Sequence, residues 1–241
     1  MSREPLHPVS LALGAMLIAA AALAAKDSGR KVDLIWTHPD FAAHAPRGIA
    51  FMPAVSYNND LPSEQKVEDA AAVQFKAVPY RWTSPRSVLT LLHLRPEADS
   101  MWKAQRALLL KSGRVDSLAA PVLCGALRVQ ALITFRVDQF EKRDLEWNEA
   151  GKPSTSVQVH AAMVDSTGRL LWTASGSELG EGTLQDPGNE SVTGVRGSGL
   201  GNEPVTTTGK APPYDEVLAK LFERWIERFP VPPGAAGNGA K

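Results

Sequence analysis

Three runs decide the fold: Ala131-Leu132-Ile133-Thr134-Phe135-Arg136-Val137, Val157-Gln158-Val159-His160-Ala161-Ala162-Met163 and Arg169-Leu170-Leu171-Trp172-Thr173-Ala174-Ser175-Gly176. In the first, Ala131, Ile133, Phe135 and Val137 fall on one side; in the second, Val157, Val159, Ala161 and Met163 do; in the third, Leu170, Trp172 and Ala174. A period of two is the mark of a strand with a buried face, so 129–177 reads as a β-meander. Asp165-Ser166-Thr167-Gly168 joins the last two runs as a tight turn, with Gly168 where a positive φ is wanted.

Working outward, the strongest helix lies at 213–229. Val217, Leu218, Leu221, Phe222, Trp225, Ile226 and Phe229 form one stripe, while Asp215, Glu216, Lys220, Glu223, Arg224, Glu227 and Arg228 form the other side. Pro230, Pro232 and Pro233 end it, and 230–241 reads as a disordered tail. Upstream of the meander, 47–55 reads as the first strand, 63–78 as a helix and 80–82 as a short strand. Ser84-Pro85 opens a further helix that Pro96 ends, followed by helices over 99–111, with Gly113 as its stop, and over 117–127. Asp33–Trp36 reads as a short strand within an extended lead-in over 25–46. The charged stretch 139–153 reads as a solvent-exposed hairpin tip, and the glycine-rich stretch 176–213 as a mobile loop. The expected architecture is a single α/β domain over 47–229: a mixed sheet of about four or five strands with helices against it.

Length and charge bound the function. The chain has 241 residues, with 26 Lys+Arg balanced by 26 Asp+Glu. That balance gives no global pull towards nucleic acid. Cys124 is the sole cysteine, which excludes an intramolecular disulfide and a cysteine-built zinc site. At the N-terminus, Arg3 precedes the uncharged apolar run 9–25, and Ala22-Leu23-Ala24 gives a small-x-small cleavage pattern. This is the layout of a secretory signal over 1–24, with cleavage before Ala25. An uncleaved membrane anchor is the alternative reading of the same run, which is at the short limit for a span. Lys26, Arg30 and Lys31 after the run oppose export.

Residues of catalytic type do not assemble into a recognisable site. Ser63-Glu64-Gln65-Lys66 has the S-x-x-K spacing of a serine nucleophile and its base, but the companion S-D-N and K-T-G elements are absent, and Ser63 reads as a helix cap. Gly194–Gly201 is glycine-rich but neither follows a strand nor opens a helix, so it does not read as a phosphate loop. His38, His44, His93 and His160 show no i, i+4 pairing for a metal. His160 stands on a strand among polar neighbours and reads as a solvated or helix-covered residue. Cys124 reads as a small core residue. The carboxylates of 139–149 are hydrated, and Trp147 or Trp172 stacking on sugars is the weaker reading, since Trp172 alternates inward. No catalytic residue, metal ligand or cofactor is expected.

Three segments carry a family resemblance: Gly48-Ile49-Ala50-Phe51-Met52-Pro53, Cys124–Ile133, and Val159–Trp172 with its Val164-Asp165-Ser166-Thr167-Gly168-Arg169-Leu170-Leu171-Trp172 hairpin. Together they resemble the α/β domain shared by the TolB N-terminal domain, the curli-secretion lipoprotein and the outer-membrane activators of penicillin-binding proteins. The resemblance covers about 47–229. It departs from those proteins in lacking a lipidation cysteine, and in carrying Arg128-Val129-Gln130 where they have a Gly-Ala-Asp triplet before the central strand. It implies a bacterial, periplasmic, non-enzymatic accessory role: docking to other envelope proteins, self-association, or support of secretion or cell-wall synthesis. The expected contact surfaces are 176–213, the 139–153 tip or an exposed sheet edge. A small-ligand or carbohydrate-binding module is the alternative, prompted by six tryptophans, and a hydrolase the third reading.

Overall fold

The computed structural model describes residues 33–145, 151–185 and 208–232. The expected signal over 1–24, Trp147, Gly194–Gly201 and the tail from 233 onward lie outside them.

The meander forms the centre of the sheet as three long strands, β5 (Ala131–Arg143), β6 (Ser154–Asp165) and β7 (Leu170–Glu181). Before them come β1 (Leu34–Thr37), β2 (Gly48–Phe51), β3 (Val55–Ser56) and β4 (Arg81–Thr83). Among the described residues the sheet has seven strands, more than expected, in the order β1-β7-β6-β5-β2-β4, with β3 pairing on β5. β2 runs parallel to both β4 and β5, whereas β5, β6, β7 and β1 pair antiparallel, so the sheet is mixed.

Two bulges change which side chains point inward. Between β5 and β6 the register shifts at Val137/Gln139, which puts Asp138 out of step and returns Phe140 to the buried side, stacked on Tyr214 at 3.9 Å. The expected 139–153 tip therefore begins only after Arg143. Between β6 and β7 the register shifts at Met163/Val164. As a result Leu171, not Leu170, joins Trp172 and Ala174 in the first core, and Leu170 packs on the opposite face.

The expected loop over 176–213 also begins later. β7 continues to Glu181, and β8 (Leu184–Gln185) pairs antiparallel with β9 (Thr208–Gly209), to which Leu145 adds a bridge. The lead-in over 25–46 holds β1 and the short helix α1 (Phe41–His44), whose Phe41 is buried.

Helices cover both faces of the sheet. On the first face lie α2 (Leu61–Gln74) and the C-terminal α6 (Tyr214–Ile226). The apolar stripe of α6 buries Val217, Leu218, Leu221, Phe222 and Trp225. Phe75 sits among Phe51, Phe135, Phe222 and Phe229, with ring centroids 5.2–6.1 Å apart. On the second face lie α3 (Pro85–His93), α4 (Pro96–Ser112) and α5 (Ala119–Leu127), burying Val88, Leu92, Trp102, Leu109 and Leu123 against Ala50, Met52 and Leu132. All four residues of β2 are buried because both of its faces are covered. Pro96 opens α4 as well as closing α3, since its fixed φ and missing N–H suit a first turn. Gly113 closes α4 in the left-handed conformation at φ 71°.

Candidate functional site

The chain reverses direction around β2. From β2 it passes through α2, on the first face, to β4; from β4 it passes through α3, α4 and α5, on the second face, to β5 on β2's other side. Such a switch point leaves a crevice beyond the carboxyl ends of parallel strands, because the two connections diverge to opposite faces. Here the crevice is a cleft of ≈ 390 Å³, bounded by Pro53 just after β2, the outer side of α2, the head of α3 and Arg106 of α4.

Glu64 and Glu68 enter it from α2, one turn apart. Glu64 is buried and accepts from Ser56 N–H at 2.9 Å, from Ser56 Oγ at 3.0 Å and from Arg106 Nη2 at 3.1 and 3.3 Å. Glu68 accepts from Ala54 N–H at 2.9 Å through Oε1. Burial pushes its pKa up; the Ala54 bond opposes this, Glu64 and Asp69 add to it, and Arg106 opposes it weakly. Across the cleft Ser84 caps α3 by accepting from Ser87 N–H at 3.3 Å, and Pro85, Arg86 and Leu89 line that wall.

The S-x-x-K pair is pulled apart. Ser63 is not the helix cap, because α2 starts at Leu61; its hydroxyl donates to Asp60 C=O at 2.9 Å. Lys66 instead pairs with Asp215 of α6 at 3.1 Å. Nucleophile and base are therefore not in contact.

His160 is covered by the end of α4. A Cβ at Gly113 would lie 2.5 Å from its ring, so only glycine fits there. Its pKa is lowered, first by burial, then by Arg136 on the paired strand, with Asp138 opposing. Arg136 is held by Asp138 at 2.6 Å and donates to Leu110 C=O at 3.3 Å, an α4 carbonyl that also accepts from Tyr57 Oη at 2.8 Å. This is a helix-to-sheet clasp. Cys124 is buried, and burial, with Asp165 beside it, pushes its thiol up to about 12, far from a reactive thiolate.

β1 is an edge strand. Among the described residues nothing pairs with its outer side, and Leu34 and Trp36 are 68% and 43% exposed. The Trp36 ring meets His38 edge-on at 5.9 Å, His38 meets His44 at 6.1 Å, and Arg169 lies against His44 Nε2. Among the described residues no three His, Cys, Asp or Glu side chains gather to hold a metal, and no helix is long and apolar enough to cross a membrane. Sequence reading singled out neither Glu68, Arg106 nor the exposure of Leu34; the visible signal was the one-turn spacing of Glu64 and Glu68.

No family model matches the chain, and no curated protein does. Solved structures that it resembles include a PelC dodecamer from Paraburkholderia phytofirmans, at 12% identity and a TM-score of 0.40, covering 80% of this chain and 96% of that one. Lipoprotein GNA1162 from Neisseria meningitidis matches at 13% identity and a TM-score of 0.40, covering 76% and 97%. The hypothetical protein CT253 from Chlamydia trachomatis matches at 11% identity and a TM-score of 0.34, covering 61% and 78%.

Proposed function

We propose that this protein is a non-enzymatic accessory protein of the bacterial envelope, exported to the periplasm, that works by docking to another envelope protein along the β1 edge. The observation that carries the reading is β1 itself: an outermost strand with main-chain groups facing outward and two large apolar side chains, Leu34 and Trp36, exposed on it. Exposed apolar edges are usually blunted by charge or proline, and β1 has neither within Leu34–Thr37. An extended segment of a partner adds there through main-chain hydrogen bonds, and the alternating side chains select it. The N-terminal secretory pattern and the hairpin resemblance support the compartment.

The test is photo-crosslinking in the envelope from position 36, carrying a photoreactive side chain in the full chain. Transfer to a discrete envelope protein, lost when Leu34→Lys is added, is the expected result. A reactive position 36 that labels nothing, in protein shown to be exported and folded, overturns it. Label found only on a second copy of the chain replaces the hetero-partner with self-association.

A further inference from the structure

The outer side of α5 is apolar and carries both halves of a fit to itself. Leu118, in helical conformation just ahead of α5, is 81% exposed. Pro121, Val122 and Gly125 follow it on the same side of the helix, and all are exposed. From Ser117 to Leu127 there is no charged residue. Leu118 and Gly125 are two turns apart, so they share nearly one azimuth and lie about 10 Å from each other along the axis. Leu118 is a knob. Gly125 is a dimple, because a Cβ there would meet nothing within 4 Å. The end of α3 widens the patch: Arg95, just beyond it, donates to Gly125 C=O at 3.4 Å, and Leu91 and Leu94 are exposed beside it. Large apolar side chains gathered in this way, rather than scattered singly, mark a contact surface.

We propose that this face is a two-fold contact between copies of the chain: α5 packs antiparallel on the α5 of a second copy, with each Leu118 seated on the other's Gly125. A two-fold contact needs a surface complementary to itself. A knob and a dimple on one helix face meet that condition when the axis passes midway between them, at Pro121 and Val122. Nearly the same midpoint relates Asp116, before the helix, to Arg128, at its end. Antiparallel packing therefore brings the acid of one copy to Arg128 and Arg95 of the other. Arg114, the other charge at the acidic end, lines a neighbouring hollow with Leu108, Ser112 and Asp116. A parallel arrangement would face like ends together and leave both dimples unfilled. The contact lies on the second face of the sheet and not on the β1 edge, so it goes beyond the docking reading, and either can fail without the other.

The experiment is sedimentation equilibrium of the whole chain, wild type against Gly125→Leu and Leu118→Arg, with a cysteine crosslink to read the register. Wild type is expected to dimerise with a dissociation constant of about 1–100 μM, as befits a small interface. Gly125→Leu fills the dimple from an open position, and leucine favours a helix over glycine, so the fold is kept while the seat for Leu118 is lost. Its dissociation constant should rise at least about 10-fold, and Leu118→Arg should do the same. Melting curves of both variants at low concentration check that they fold. Val122→Cys meets its own copy across the axis, so mild oxidation should link two chains. Val73→Cys, exposed on α2 on the first face, should not, and Cys124 is buried. A wild-type chain that stays monomeric up to about 1 mM, a dimer indifferent to Gly125→Leu, or a Val122→Cys crosslink no faster than that of Val73→Cys overturns the proposal. So does a monomer that binds phospholipid vesicles through Leu118, which would give the face to a membrane.

Discussion

Arg224 on α6 holds Asp33, at the start of the described chain, in a two-pronged ion pair: Nε to Oδ2 at 2.6 Å and Nη2 to Oδ1 at 3.0 Å. The same guanidinium reaches Glu178 on β7. Both carboxylates are nearly buried, so the cation offsets their desolvation and ties the β1 entry, β7 and the final helix into one unit. Arg224→Met keeps most of the aliphatic packing but leaves the two carboxylates without this partner. It should cost about 2–4 kcal/mol, read as a lower urea midpoint at unchanged slope. Gly176→Ala should strike the same place, because its Cβ would lie 2.2 Å from Asp33 Oδ1. A change below about 0.5 kcal/mol for Arg224→Met would mean the pair is no more than a surface contact.

The β6–β7 turn depends on Gly168. Asp165 Oδ1 gathers Thr167 N–H at 2.8 Å, Thr167 Oγ at 2.6 Å and Arg169 N–H at 2.9 Å, which leaves Gly168 at φ 82°. A Cβ there would stand 2.3 Å from Ser117 Cα, a backbone atom that cannot move aside. Gly168→Ala should therefore cost more than the roughly 1 kcal/mol of left-handed strain alone, in the range of about 2–4 kcal/mol. A thermal melt within about 2 °C of wild type would show that the turn relaxes freely.

Much of this architecture is legible in the sequence, and the exceptions have physical causes. The meander, the Thr167-Gly168 turn, the α6 stripe and the Gly113 stop each rest on local chemistry. The end of β5 does not, because a bulge shifts the phase of alternation at Asp138; nor does the end of β7, where the alternation holds but its buried positions are Gly176, Glu178 and Gly180. Beyond the β5 bulge a period-2 reading points the wrong side chains inward, so Phe140 looks like part of a loop, while the bulge at the start of β7 exchanges only Leu170 for Leu171. The cleft was hidden for another reason. Glu64 is a first-turn acid of the kind that suits any helix N-terminus, while its companions Ser56 and Arg106 lie 8 and 42 residues away. Only the like-charged pair at i, i+4, unfavourable on an isolated helix, hinted that a cation was needed.

His160 gives the fold an acid-side sensitivity. Its folded pKa is lowered from the ordinary 6.5 by burial under the α4 end and by Arg136, with Asp138 opposing. Between the two pKa values the unfolded chain binds more protons, so stability is present above about 6.5 and is lost as pH falls through the lowered folded value. His160→Gln should flatten that part of the stability–pH curve while leaving the curve above pH 7 nearly parallel to wild type. An unaltered slope between about pH 6.5 and 5 would place the responsible group elsewhere.

Glu68 acts with the opposite sign. Its folded pKa is raised from 4.5, chiefly by burial, so ionising it is harder in the folded chain than in the unfolded one. Between 4.5 and the raised value the folded state holds more protons, and stability falls as pH rises through that window. The penalty is fully present above the raised value and gone below 4.5. Glu68→Gln, which keeps the acceptor for Ala54 N–H, should therefore be at least as stable as wild type at pH 7, with the advantage vanishing on acidification. A Glu68→Gln protein that is less stable than wild type at pH 7 would show that the carboxylate is compensated in the folded chain after all.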